Sequence, residues 1–183
     1  KIPVWFDEVQ TFTRTGEFFA FETLGLGEYV DVCTIAKTAQ NGATLYTEEY
    51  NPNPGLIAGT FSGSSPSLSA GLEIMEMLDN DGFLGANGKI AKIHNEFMAM
   101  LHRLGETTLK GKLYDPEGLG LIIGVTALDG SKEKQLALLK VLFKNGLMSF
   151  GCGRGPYRVR FLIPAITTCE DIQRVGKILE KSI

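Results

Sequence analysis

Asp7, Gln10 and Lys37 are the residues whose types and placement could do chemistry together. Asp7 follows the apolar run from Pro3 to Phe6, and Lys37 closes the apolar run from Val30 to Ala36. A lysine amine at a strand end can form a Schiff base with a carbonyl, and a carboxylate can keep a pyridine nitrogen protonated. Each residue alone has a plainer reading. An aspartate after a strand is ordinarily a turn or capping residue, and a lysine is ordinarily solvated. Open α/β sheets, however, place ligands at the carboxyl ends of their strands, where both residues fall.

The elements that must position these groups alternate strand-like and helical patterns, which favours an α/β layer arrangement. Strands are expected at Pro3–Phe6, Val30–Ala36 and Ala43–Thr47, with a short helix at Glu17–Leu24 stopped by Gly25 and Gly27. A polar loop rich in Pro and Gly runs from Glu48 to Pro66, and Leu68, Leu72, Ile74, Met75 and Leu78 then recur at helical spacing. A boundary falls near Asn80–Asn87, where Asn and Gly break the pattern. Beyond it we expect a long amphipathic helix ended by Gly105, and two strands, Leu109–Tyr114 and Leu119–Ala127, around a turn at Asp115-Pro116-Glu117-Gly118. A helix from Ser131 to Asn145-Gly146, strands at Leu147–Phe150 and Tyr157–Ile163, and a closing helix at Glu170–Lys181 complete an α+β unit.

The segments Asp7-Glu8-Val9-Gln10-Thr11, Arg14-Thr15-Gly16 and Phe19-Ala20-Phe21-Glu22 resemble the signature of the class III, ω-amino-acid type aminotransferases, which use pyridoxal 5′-phosphate (PLP). Thr34-Ile35-Ala36-Lys37 is similar to that family's cofactor-lysine segment, and Gly59-Thr60-Phe61-Ser62-Gly63 to its later phosphate-binding loop. Gly118–Gly124 resembles a small-domain strand, and Arg160-Phe161 with Pro164 the carboxylate-binding arginine segment. The resemblance covers nearly the whole chain, with its landmarks in order.

It implies an α/β fold: the later part of a fold-type I PLP-transferase large domain over residues 1–80, and an α+β carboxyl-terminal small domain over 81–183. It also implies roles. Lys37 would hold PLP as an internal aldimine and carry the proton, Asp7 would pair with the pyridinium nitrogen, and Gln10 would bond the ring hydroxyl oxygen. Thr60 would contact the phosphate, in this family across a homodimer interface, and Arg160 would grip a substrate carboxylate. The implied reaction moves an amino group from an ornithine, acetylornithine, 4-aminobutyrate or lysine type donor to 2-oxoglutarate. A decarboxylase or aminomutase on the same fold, or a non-catalytic scaffold, are the alternatives. We read Arg158 and Arg160 as facing opposite sides of the sheet, so that only one can be a clamp, and Glu8 as either a supporting partner of the site or a loop salt bridge. His94 and His102 carry no sign of a metal role, and no metal is expected.

The chain has 183 residues, 44% of them hydrophobic and 21% charged, enough for a core without staples. A formal charge of −3 gives no general field for nucleic acid or an anionic membrane, so neither is an expected partner. Three cysteines without metal-ligand spacing read as free thiols in a reducing cytoplasm. The chain opens directly on a strand and lacks the family's upstream cofactor residues, so we expect a fragment that is inactive alone, with exposed apolar edges on its first part.

Overall fold

In a computed structural model of the chain, residues 2–56, 59–60 and 62–183 are described; Lys1, Ile57, Ala58 and Phe61 lie outside them. Two compact units meet at the Gly88–Lys89 bond. Residues 81–88 belong with the first, and the Gly85 N–H donates to Gly16 O at 2.8 Å.

In the first unit, β1 (Trp5–Asp7) runs parallel to β2 (Val32–Ile35), and β3 (Ala43–Tyr46) pairs antiparallel to β2, in the order β1-β2-β3. The helix expected at 17–24 is a single turn, α1 (Ala20–Thr23), begun where the Glu22 carboxylate accepts the Phe19 N–H at 3.0 Å. A small core of Phe12, Cys33, Ile35 and Ala39 is enlarged by Phe6, Phe18, Phe19, Phe21, Val30 and Met75. The helix α2 (Ser65–Asn80) buries Gly71 and Leu78, while Leu68 and Leu72 of the expected apolar stripe stay exposed. Trp5 on β1 and Val4 just before it are exposed as well.

The second unit contains α3 (Lys89–Glu106), β4 (Leu113–Leu119), β5 (Ile122–Ala127), α4 (Lys132–Lys144), β6 (Phe150–Cys152), β7 (Arg158–Leu162) and α5 (Cys169–Ser182). Its sheet is antiparallel throughout, in the order β4-β5-β7-β6. One face carries the buried Ile123, Val125, Val159 and Phe161, with Phe97 of α3 packed on Phe161 at 5.1 Å between ring centroids. Gln135 of α4 donates to Arg158 O at 2.6 Å and Cys152 O at 3.2 Å, tying that helix to β6 and β7.

Two expectations for this unit are corrected. Gly105 does not end α3, which continues through it. A Cβ there would stand 2.5 Å from Leu113 O, so the glycine serves a close approach between helix and strand. The motif Asp115-Pro116-Glu117-Gly118 is not the hairpin turn. It lies within β4, where the register jumps between Tyr114 and Glu117 and Asp115 adopts φ +51°. Such a bulge on an edge strand accommodates a proline that cannot donate to the ladder. The reversal falls instead at Gly120-Leu121, between the paired Leu119 and Ile122, and His94 Nδ1 lies 2.8 Å from Gly120 O. Among the described residues no helix is long and apolar enough to cross a membrane.

Candidate functional site

Because β1 and β2 are parallel and Asp7 is paired with Thr34, Asp7 and the segment leading to Lys37 leave the sheet at the same end. Asp7 is exposed; its Oδ1 accepts the Val9 N–H at 3.0 Å, and Oδ2 has no partner among the described residues. Lys37 is also exposed, and its amine is likewise unpartnered there. The lysine sits at φ +56°, a left-handed conformation that costs a side-chain-bearing residue about 1 kcal/mol or more and is concentrated at functional sites. Its carbonyl accepts both the Gln40 N–H at 2.9 Å and Gln40 Nε2 at 3.2 Å, which closes the turn holding it. A cavity of about 610 Å³ runs along β2 and β3, lined among others by Thr34, Ala36, Gly42, Thr44 and Tyr46; Asp7, Gln10, Lys37 and Thr60 are not among its lining residues.

The loop after β1 is organised by Glu8, which is 1% exposed. Its carboxylate accepts the Thr11 hydroxyl and, at 3.1 Å, the Phe21 N–H, while its own N–H donates to Thr34 O at 2.9 Å. Glu8 therefore makes no loop salt bridge among the described residues; it is a buried anion closing the loop on itself. Gln10 is half-buried in that loop, with its carbonyl accepting Arg14 Nη1 at 2.6 Å. Burial holds the Arg14 guanidinium below its ordinary range. Behind the site, burial first and then the charges of Glu8 and Asp7 push the Cys33 thiol up to about 11.

Thr60 is exposed. Ser62 Oγ donates to Gly59 O at 2.7 Å, and Asn41 Nδ2 donates to Ser62 O at 3.2 Å, so this segment is tethered beside the turn that follows Lys37. Phe61 of the same motif lies outside the described residues.

Arg160 belongs to the second unit. Its guanidinium carbon stands 5.8 Å from the Phe150 ring centroid, its Nε is buried without a partner, and its side chain makes no hydrogen bond among the described residues. Arg158 and Arg160 share one face of β7, opposite to Val159 and Phe161, which is a correction to the expectation of opposite sides. Strand side chains alternate with period two, so residues two apart point the same way. Arg158 differs in being occupied: Nη1 pairs with Glu117 Oε2 at 2.6 Å and Nη2 donates to Asp115 O.

The model of one family, Aminotransferase class-III, matches residues 2–183. The chain belongs to the class-III aminotransferases. Acetylornithine aminotransferase of Lactococcus lactis subsp. lactis is 31% identical to it, over 96% of this chain and 45% of that protein. The Wolinella succinogenes acetylornithine aminotransferase is 34% identical, over 91% of this chain and 41% of its own length. The chain thus spans less than half the length of these curated relatives. Among solved structures, lysine aminotransferase from M. tuberculosis in the internal aldimine form superposes with a TM-score of 0.83 at 19% identity, covering 98% of this chain and 41% of that one. Plasmodium falciparum ornithine delta-aminotransferase gives a TM-score of 0.77 at 22% identity, with coverage of 100% and 47%. These likenesses place the chain in the PLP-transferase α/β fold, as expected from its motifs.

PLP is the cofactor of class-III aminotransferases, and the donor set of the first unit fits it. An exposed carboxylate with one oxygen unpartnered among the described residues, and an amine likewise unpartnered there, stand at the carboxyl ends of adjacent strands. Glu117 has no local signal in the sequence, because its partner Arg158 lies 41 residues away.

Proposed function

We propose that the protein containing this chain transfers an amino group from an amino acid or ω-amine donor of the ornithine, acetylornithine, 4-aminobutyrate or lysine type to 2-oxoglutarate. The placement of an unpaired Lys37 amine in a left-handed turn, with Asp7 at the end of the neighbouring parallel strand, carries this reading. Bound PLP supplies an electron sink for a carbanion at the donor carbon. Lys37 would be the attachment point for the cofactor, and its amine, when not bonded to it, would take the proton from the donor carbon. The Asp7 carboxylate would keep a proton on the ring nitrogen, Gln10 would hold the ring hydroxyl oxygen, and the Thr60 hydroxyl would hold the phosphate. Arg160 holds a substrate carboxylate through a planar, charge-assisted fork.

In this reading residues 1–80 are the later part of the cofactor-binding large domain and residues 81–183 the small domain. The working protein is a cytoplasmic homodimer whose remaining part completes the site, and this segment alone is inactive. The test uses the full-length protein. With PLP added, its long-wavelength absorbance band shifts on addition of donor, and glutamate accumulates when 2-oxoglutarate is present; Lys37→Ala abolishes both. Retention of amino transfer by Lys37→Ala, or carbon dioxide release with no amino transfer, overturns the proposal.

A further inference from the structure

Two guanidinium groups on one sheet face raise the question of how many act on an anion there. Arg158 and Arg160 alternate with the buried Val159 and Phe161 on β7, and the residue paired with Arg160 on β5 is Gly124, which places no side chain on that face. Their situations are unequal. Arg158 has only 18% of its side chain exposed and is held toward β4, by Glu117 Oε2 at 2.6 Å and by Asp115 O. Arg160 lies toward β6, against the Phe150 ring at 5.8 Å, with no carboxylate partner among the described residues. The Asp115 carbonyl is available to Arg158 because the bulge in β4 turns that residue to φ +51°. Glu117 itself is 72% exposed, and the ion pair it makes among the described residues is with Arg158.

We propose that Glu117 is a specificity-determining positioning residue. By neutralising and holding Arg158, it leaves Arg160 as the single cation offered on this face, and the site takes substrates that present one carboxylate there. The inference rests on the proposed role of Arg160 as a carboxylate clamp. Without Glu117, Arg158 becomes a second, uncompensated cation beside Arg160, and a carboxylate on that face binds more tightly and depends less on Arg160.

The test is a double-mutant cycle on the full-length protein, read as the dissociation constant of 5-aminopentanoate, which carries one carboxylate and one terminal amine. Arg160→Gln weakens binding by about 10- to 100-fold, the worth of a hydrogen bond to a charged group. Glu117→Ala tightens it several-fold, and Arg160→Gln then costs less than in the parent. Arg158→Ala cancels the tightening when added to Glu117→Ala and has no effect alone, and Glu117→Asp behaves as the parent. Unchanged or weaker binding by Glu117→Ala, or weaker binding by Arg158→Ala alone, overturns the proposal. If Arg160→Gln has no effect, the clamp fails and this inference with it. The reaction is judged separately by Lys37→Ala, so a protein that passes the cycle and fails that test has the carboxylate site without the proposed chemistry.

Discussion

Glu8 shows how much a single buried anion can organise. It is 1% exposed and its donors come from both ends of the loop, Thr11 and Phe21, so the stretch carrying Gln10 closes over one carboxylate. Glu8→Ala leaves those donors without an acceptor, and a stranded buried group costs about 1–3 kcal/mol. Chemical denaturation is expected to show a loss of that size, with Glu8→Gln closer to the parent because an amide oxygen can still accept. Cys33, one strand away, is a titration probe of the same region. Its folded-state thiol is raised to about 11 from an ordinary value near 9, so between those values the folded state binds more protons than the unfolded. The stability it contributes is present below pH 9 and lost as pH rises through 11. Stability measured across that window falls with pH, and Cys33→Val flattens the slope whatever it does to the absolute value. At this scale, the placement of Asp7 and Lys37 at one end of the sheet is legible in the sequence because both follow apolar runs. Sequence reading misjudges Arg158 and Arg160, whose spacing of two residues means a shared face.

Elements matter here chiefly for what they press against the site. On the helix α2, Gly71 stands where a Cβ would lie 2.4 Å from Ala39 O, in the turn that begins at Lys37. That contact is with backbone, so a methyl group there cannot be accommodated by rotating a side chain. Gly71→Ala is expected to move the Lys37 turn, to destabilise the first unit by about 1–3 kcal/mol, as overpacking does, and to weaken PLP binding measured by absorbance titration. Unaltered PLP affinity would show that α2 does not position the lysine. Helix and strand periodicity makes most elements legible in the sequence, α3 and α4 among them. Glycine and proline were misleading where they served packing or a bulge. Gly105 reads locally as a helix stop and Asp115-Pro116-Glu117-Gly118 as a hairpin turn. What decides both is a long-range neighbour, Leu113 O for Gly105 and the β5 ladder for the motif.

At the scale of the whole molecule, the two units have unequal cores. The second contains Ile90, Leu101, Leu104, Leu113, Leu121, Ile123, Leu142 and Leu179, each 2% exposed or less, whereas the first is centred on Phe12, Cys33, Ile35 and Ala39. Fewer fully buried side chains mean less area removed from water, so the first unit has the weaker hydrophobic support of its own. Removing one large side chain from each core separates them. Leu142→Ala empties a site that is 0% exposed and is expected to cost about 2–5 kcal/mol. Phe12→Ala, at 2% exposed, removes the centre of the aromatic cluster formed with Phe18 and Phe19 and costs about 3–5 kcal/mol. Native-state hydrogen exchange reads where each loss is felt. Leu142→Ala accelerates exchange of amides in residues 89–183 and Phe12→Ala those in residues 2–88, with the first unit reaching full exchange sooner in the parent. Equal acceleration across both units by either substitution would show that the chain unfolds as one cooperative body, and the division at Gly88–Lys89 would then have no energetic meaning.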